Sequence, residues 1–210
     1  MNPKRIFLSV LLIASGVFCK AQTITHIGLN VNERHVSIGA VDMLINNIIL
    51  TVDPRGNIIL NAATDTNFDY YGQFDDSDKN GKLKSIGGVK IDYYDKFDMD
   101  EKLGKLKSVG DVKVDYYDKY DSDNQGRIKS IGKINFAYYD KYDQDNQGKV
   151  KSIGDTKVTW YDRYDGDNNG KLKSVGGASI TYYDKYDGPE RAGKVKAITG
   201  YNPLLTINGM

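Results

Sequence analysis

Four stretches of the chain set oxygen-bearing side chains at alternate positions ahead of a glycine, in the pattern D-x-D-x-[NQ]-G. They cover residues 76–81, 121–126, 143–148 and 165–170. The candidate ligands are Asp76, Asp78 and Asn80; Asp121 and Asp123; Asp143 and Asp145; and Asp165, Asp167 and Asn169. Alternate spacing in a tight bend can turn several oxygens inward, and glycine lets the chain reverse sharply, as in the opening of a calcium loop. Calcium is therefore the one candidate cofactor. The closing bidentate acid of an EF-hand is missing, because Gly176 stands at that offset from Asp165. The competing reading is that Asp and Asn form Asx-turns in solvated hairpin loops.

A second candidate site is aromatic. Fifteen of the 16 tyrosines lie between Tyr70 and Tyr186, and an aromatic pair recurs from Tyr70, Tyr93, Tyr116, Tyr138, Trp160 and Tyr182. A column formed by Tyr93, Tyr116, Tyr138, Trp160 and Tyr182 could bind a glycan or a protein through ring faces and hydroxyls. The same column could equally be cross-strand packing inside a sheet.

Catalytic chemistry is poorly represented. His26 and His35 are the only histidines, and both precede the aromatic region. No G-x-S-x-G, H-E-x-x-H or phosphate-loop pattern occurs. Carboxylates recur in near-equivalent copies, unlike a single tuned acid–base pair. The expectation is a protein that is not an enzyme.

Composition narrows the class. With 29 Lys+Arg against 28 Asp+Glu in 210 residues, no strongly basic surface for nucleic acid is expected. One cysteine excludes both a disulfide framework and a cysteine-based zinc site. Residues 1–21 read as a secretory signal peptide: Lys4 and Arg5, an apolar run over residues 6–18, then Cys19-Lys20-Ala21 before Gln22. Removing them takes away three basic residues and leaves 26 basic against 28 acidic, with no cysteine. The expected location is periplasmic or extracellular, with no transmembrane helix in the mature chain.

The elements that must position these residues come from a repeat. K-S-[IV]-G begins at Lys84, Lys107, Lys129, Lys151 and Lys173, and a degenerate copy begins at Lys196, so the period is 22 or 23 residues. Each unit reads as two strands joined by a glycine-led pair, such as Gly132-Lys133 or Gly154-Asp155, which suits a type II′ hairpin turn. The longer second connection, Y-D-x-D-N-x-G, is polar and carries the length variation.

The expected fold is all-β: an antiparallel meander of hairpin repeats, as a single-layer sheet or a wide barrel. A parallel β-solenoid is the alternative. The divisions are a signal peptide (1–21), divergent capping strands at one end (22–69), the repeat array (70–200) and a C-terminal tail (201–210). Strict alternation puts Ile86, Val89 and Ile91 on a face with Lys84, and Leu83 on the other face with Ser85 and Lys90. Neither face is then cleanly apolar, which is why a wetted sheet is expected rather than a sandwich.

The alternation of Y-Y-D-K-Y-D with G-[KR]-[LIV]-K-S-[IV] over about residues 68–198 resembles the tyrosine–aspartate repeats of bacterial RHS/YD proteins. This chain differs in aromatic spacing and adds D-x-D-N-x-G to the loop. The resemblance implies a β-shell architecture and a structural role at the cell surface. This chain is too short to enclose a toxin, as large members do. Together these readings point to a secreted or cell-envelope structural or adhesive repeat protein. The alternative is a glycan- or protein-binding module with weak calcium loops.

Overall fold

The computed structural model describes residues 22–75, 77–98 and 100–209. The predicted signal peptide and Asp76 lie outside them. The described chain forms two β-sheets joined by loops and short 3-10 turns. β1 (Thr23–Val31), β2 (Val36–Ile45), β3 (Ile48–Val52) and β4 (Ile58–Asn61) form an antiparallel sheet. The array follows as β5 (Phe68–Tyr70), β6 (Leu83–Ile86), β7 (Val89–Tyr93), β8 (Leu106–Val109), β9 (Val112–Tyr116) and β10 (Ile128–Ile131). It continues through β11 (Ile134–Tyr138), β12 (Val150–Ile153), β13 (Thr156–Trp160), β14 (Leu172–Val175), β15 (Ala178–Tyr182) and β16 (Val195–Gly200). These twelve strands pair in sequence order as one open antiparallel meander, neither a closed barrel nor a solenoid. The last strand, β17 (Leu205–Asn208), pairs in parallel with β1 and completes a five-stranded sheet.

The hairpin turns form as their residues dictate. Gly110, Gly132, Gly154 and Gly176 have φ between 54° and 58°, the positive φ that the first central residue of a type II′ turn requires. Asp53 accepts the Gly56 amide at 2.9 Å, closing the turn between β3 and β4.

The two sheets make a layered structure, and the reason is a β-bulge in every unit. Asp92 pairs with Ser108 and Tyr93 with Leu106, so Lys107 is one residue extra. The same slip falls at Lys84, Lys129, Lys151, Lys173 and Lys196. Each bulge swings its lysine off the inner face and returns the preceding Leu, Ile or Val to it. Leu106, Val109, Val114 and Tyr116 therefore point the same way and are all buried. The strict alternation read from the sequence hid this dry face.

The five-stranded sheet covers that face, rather than one end of the array, and residues of both sheets share one core. Named bonds fix its placement. Gln22 donates to the Ile131 carbonyl at 2.5 Å, Val195 N–H donates to the Glu33 carbonyl at 3.0 Å, and Asn202 reaches the Val175 carbonyl at 3.4 Å. The tail thus enters the covering layer. Among the described residues, no helix is long and apolar enough to cross a membrane.

Candidate functional site

The candidate residues lie along the edge of the array that carries the long loops, where each loop leans on the next. Four sets of bonds recur from one unit to the next.

The first set is phenolic. Tyr71, Tyr94, Tyr117, Tyr139 and Tyr161 donate their hydroxyls to the carbonyls of Ile91, Val114, Phe136, Val158 and Ile180, at 2.9–3.1 Å. The second set is cationic. Lys82, Lys105, Arg127, Lys149 and Lys171 donate to the carbonyls of Gly104, Gly126, Gly148, Gly170 and Gly193. Their charges lie 4.6–5.1 Å from the ring centres of Tyr93, Tyr116, Tyr138, Trp160 and Tyr182. Burial under these rings lowers the pKa of Lys105, Lys149 and Lys171. The third set uses the bulge lysines. Lys84, Lys107, Lys129, Lys151, Lys173 and Lys196 stand over the rings of Tyr71, Tyr94, Tyr117, Tyr139, Tyr161 and Tyr183. Each such contact is worth about 0.5–1 kcal/mol at a partly exposed site.

The fourth set joins the loops through their acids. Asp78 accepts the Lys96 amide at 3.0 Å, Glu101 accepts Lys119 at 3.0 Å, Asp123 accepts Lys141 at 3.1 Å, and Asp145 accepts Arg163 at 3.1 Å. Asp145 also accepts the Arg163 guanidinium at 2.9 Å, which holds its carboxyl below the usual aspartate range. The second acids of three of the four candidate calcium loops, Asp78, Asp123 and Asp145, are thus directed at the neighbouring loop. Asp121 accepts the Asn124 amide group, and Asp165 accepts the Asp162 amide. Asp143 is half-buried, while Asn80, Asp167 and Asn169 are exposed. Among the described residues, no group of three or more His, Cys, Asp or Glu side chains could hold a metal ion.

Loop position 79 and its counterparts carry a further pairing. Lys79 contacts Asp92 at 2.9 Å and Asp95 at 3.4 Å, and Lys102 contacts Asp115 at 2.6 Å. Burial alone would raise Asp92 and Asp115. The bonds from the lysines and from the Tyr93 and Tyr116 amides outweigh it and keep both carboxyls below their ordinary pKa.

The five rings proposed from sequence as a binding column lie within this framework. Tyr116 and Tyr182 are only 5 % and 6 % exposed, and Tyr93, Tyr138 and Trp160 are half-buried. Burial pushes Tyr138 and Tyr182 up to about 12. The rings that face solvent belong to a different position, the third aromatic of each unit. Phe74, Phe97, Tyr120, Tyr142, Tyr164 and Tyr186 are between 82 % and 95 % exposed. From Phe97 onward, the Asp two residues before each ring accepts that residue's amide, as Asp118 does for Tyr120 and Asp140 for Tyr142, at 2.9 Å in both. Between Tyr142 and Tyr164 an open groove of about 700 Å³ is lined by Asp143, Gln144, Lys151 and Arg163. The strands end at the first ring of each unit, the second ring follows at once and reaches back to the next strand's carbonyl, and the third stands farther out in the loop. That signal was present in the Y-Y-D-K-Y-D spacing.

The histidines divide. His26 Nδ1 lies 3.0 Å from Asp42, whose other oxygen accepts the Thr51 hydroxyl at 2.6 Å. The carboxylate stands between imidazole and hydroxyl, so this cluster does not align a base with a nucleophile.

No family model matches the chain, and no curated protein or solved structure is significantly similar to it.

Proposed function

We propose that the protein is an exported structural or adhesive repeat protein, without catalytic activity, whose array is a rigid strip presenting one aromatic ring per unit. The observation that carries this reading is the economy of the repeated polar residues. The recurring lysines, paired tyrosines and second loop acids bind the next unit, whereas the third ring of each unit is left to solvent. Such a surface suits attachment to a protein or glycan partner, because exposed rings offer large contact area at low entropic cost. The resemblance to RHS/YD repeats and the N-terminal sequence pattern agree with a surface or periplasmic location. The groove beside Tyr142 and Tyr164 favours a second reading, a module that binds a glycan chain across successive loops.

The test has two parts. Fractionation of cells making the full chain, with N-terminal sequencing, is expected to find the protein outside the cytoplasm and beginning near Gln22. Beads coated with the protein are expected to adhere to cells or polysaccharide, and beads carrying Tyr120→Ala, Tyr142→Ala and Tyr164→Ala together are expected to lose most adhesion. A cytoplasmic protein with an uncut N-terminus, or adhesion unchanged by the triple variant, contradicts the reading.

A further inference from the structure

The two ends of the array are halves of one unit. Each complete unit is a first strand, a glycine turn and a second strand, as in β6 and β7. The array opens with β5, which carries N-F-D-Y-Y where β7 carries K-I-D-Y-Y, so β5 is a second strand without its first. It closes with β16, which carries K-V-K-A-I-T, a first strand without its second. Among the described residues, the outer edges of these two strands have no strand partner.

The surfaces at those ends are complementary. In interior units the inner-face positions of the second strand are filled by residues such as Ile91 (0 % exposed) and Tyr116 (5 %). At β5 the counterparts are Phe68 and Tyr70, which are 51 % and 57 % exposed. Beside β16 lies an apolar groove of about 420 Å³, lined by Val31, Tyr183, Val195, Ile198 and Ile207. It occupies the place where an interior second strand would bring its Ile and Tyr. The polar ladder is split in the same way. Tyr183 is the counterpart of Tyr161, whose hydroxyl bonds the next strand's carbonyl, and the matching carbonyl at the other end belongs to Phe68. Glu190 is the counterpart of Asp145, and the matching amide belongs to Gln73. One rung is already used, because Lys194 pairs with Glu33. That contact and the bond from Val195 to Glu33 touch only the start of β16.

We infer that a second copy of this chain docks head to tail, with its β5 antiparallel to β16, completing the split hairpin across the junction. Interior hairpins pair Ser85 with Lys90 and Ile86 with Val89. The junction therefore pairs Ala197 with Asn67 and Ile198 with Thr66 of the second copy. The two contacting surfaces differ, so the joined copies together keep one free end of each kind and the assembly stays open-ended. Main-chain pairing at exposed edges and burial of Phe68 and Tyr70 supply the attraction. The inference concerns contacts between copies and stands apart from the adhesive reading.

The test is disulfide trapping in the intact protein, with Cys19 changed to Ser so that no native thiol takes part. Under mild oxidation, Asn67→Cys with Ala197→Cys in one chain is expected to give a ladder of covalent multimers. Each single-cysteine variant is expected to stay largely monomeric. Sedimentation of the otherwise native protein is expected to show mass rising with concentration. Phe68→Lys with Tyr70→Lys, at exposed positions that leave the fold intact, is expected to raise the half-association concentration by roughly tenfold or more. A ladder absent from the double-cysteine protein, or a mass that stays monomeric at all concentrations, overturns the inference. So does strong dimer formation by Asn67→Cys alone, which would mean a two-fold contact instead.

Discussion

Lys79 and Lys102 each meet an aspartate thirteen residues on, Asp92 and Asp115. In the next three units the counterparts of the lysine are Asn124, Asn146 and Asn168, and the residues thirteen on are Ala137, Thr159 and Thr181. The charge disappears from both sides together. A lysine held with little exposure needs its carboxylate, and without the carboxylate the site needs an uncharged amide. Asp115→Thr alone is therefore expected to cost about 1–3 kcal/mol. Adding Lys102→Asn, which recreates the pair found at Asn146 and Thr159, is expected to recover more than half of the loss. Urea unfolding of the two single variants and the double reads this coupling directly. Strictly additive losses would mean that the two positions do not share a site.

At the scale of elements, the meander and its glycine turns were legible because turn chemistry is local. The period of 22 or 23 residues and the positive φ expected at Gly132 and Gly154 needed only neighbouring residues to be seen. The dry face was not legible, because it depends on the bulge at Lys84, Lys107 and their counterparts, which reverses the parity of every first strand. The exposed third ring was not singled out from the sequence, whereas the residue types and spacing of the loops were legible. Direction was not, since whether Asp123 turns into its own loop or toward Lys141 depends on the stacking of units. The turn itself can be tested cleanly at Gly154, where φ is 55° and an added Cβ would meet only ordinary contacts with Ile24 and Ile134 at 3.5 and 3.6 Å. Gly154→Ala is expected to destabilise by about 1–3 kcal/mol through backbone strain alone. The same change at Gly132 should cost more, because the new Cβ also collides with Gln22. Equal and negligible effects on the melting temperature at both sites would contradict the turn assignment.

For the whole molecule, the ladders make stability depend on pH at both extremes. Asp92 and Asp115 have carboxyls held below their ordinary range in the folded protein. Their contribution is complete above the unfolded aspartate value of about 3.9 and is lost as pH falls through the lower folded values. Tyr94, Tyr138 and Tyr182 are raised by burial from 10.0 to about 12. Their contribution is complete below the unfolded value and is lost as pH rises from there through about 12. The melting temperature is therefore expected to hold a plateau between these limits, falling below about pH 4 and above about pH 10. A steep change near neutrality would contradict this account. The central claim is that Asp78, Glu101, Asp123 and Asp145 staple one unit to the next. The most direct measurement is residue-resolved amide hydrogen exchange of the native protein in chelator and again with millimolar calcium. The account predicts that the amides of Lys119, Lys141 and Arg163 are already protected in chelator, because Glu101, Asp123 and Asp145 accept them, and that calcium leaves their exchange unchanged. Fast exchange of these amides in chelator, or a large change in their protection on adding calcium, would contradict it.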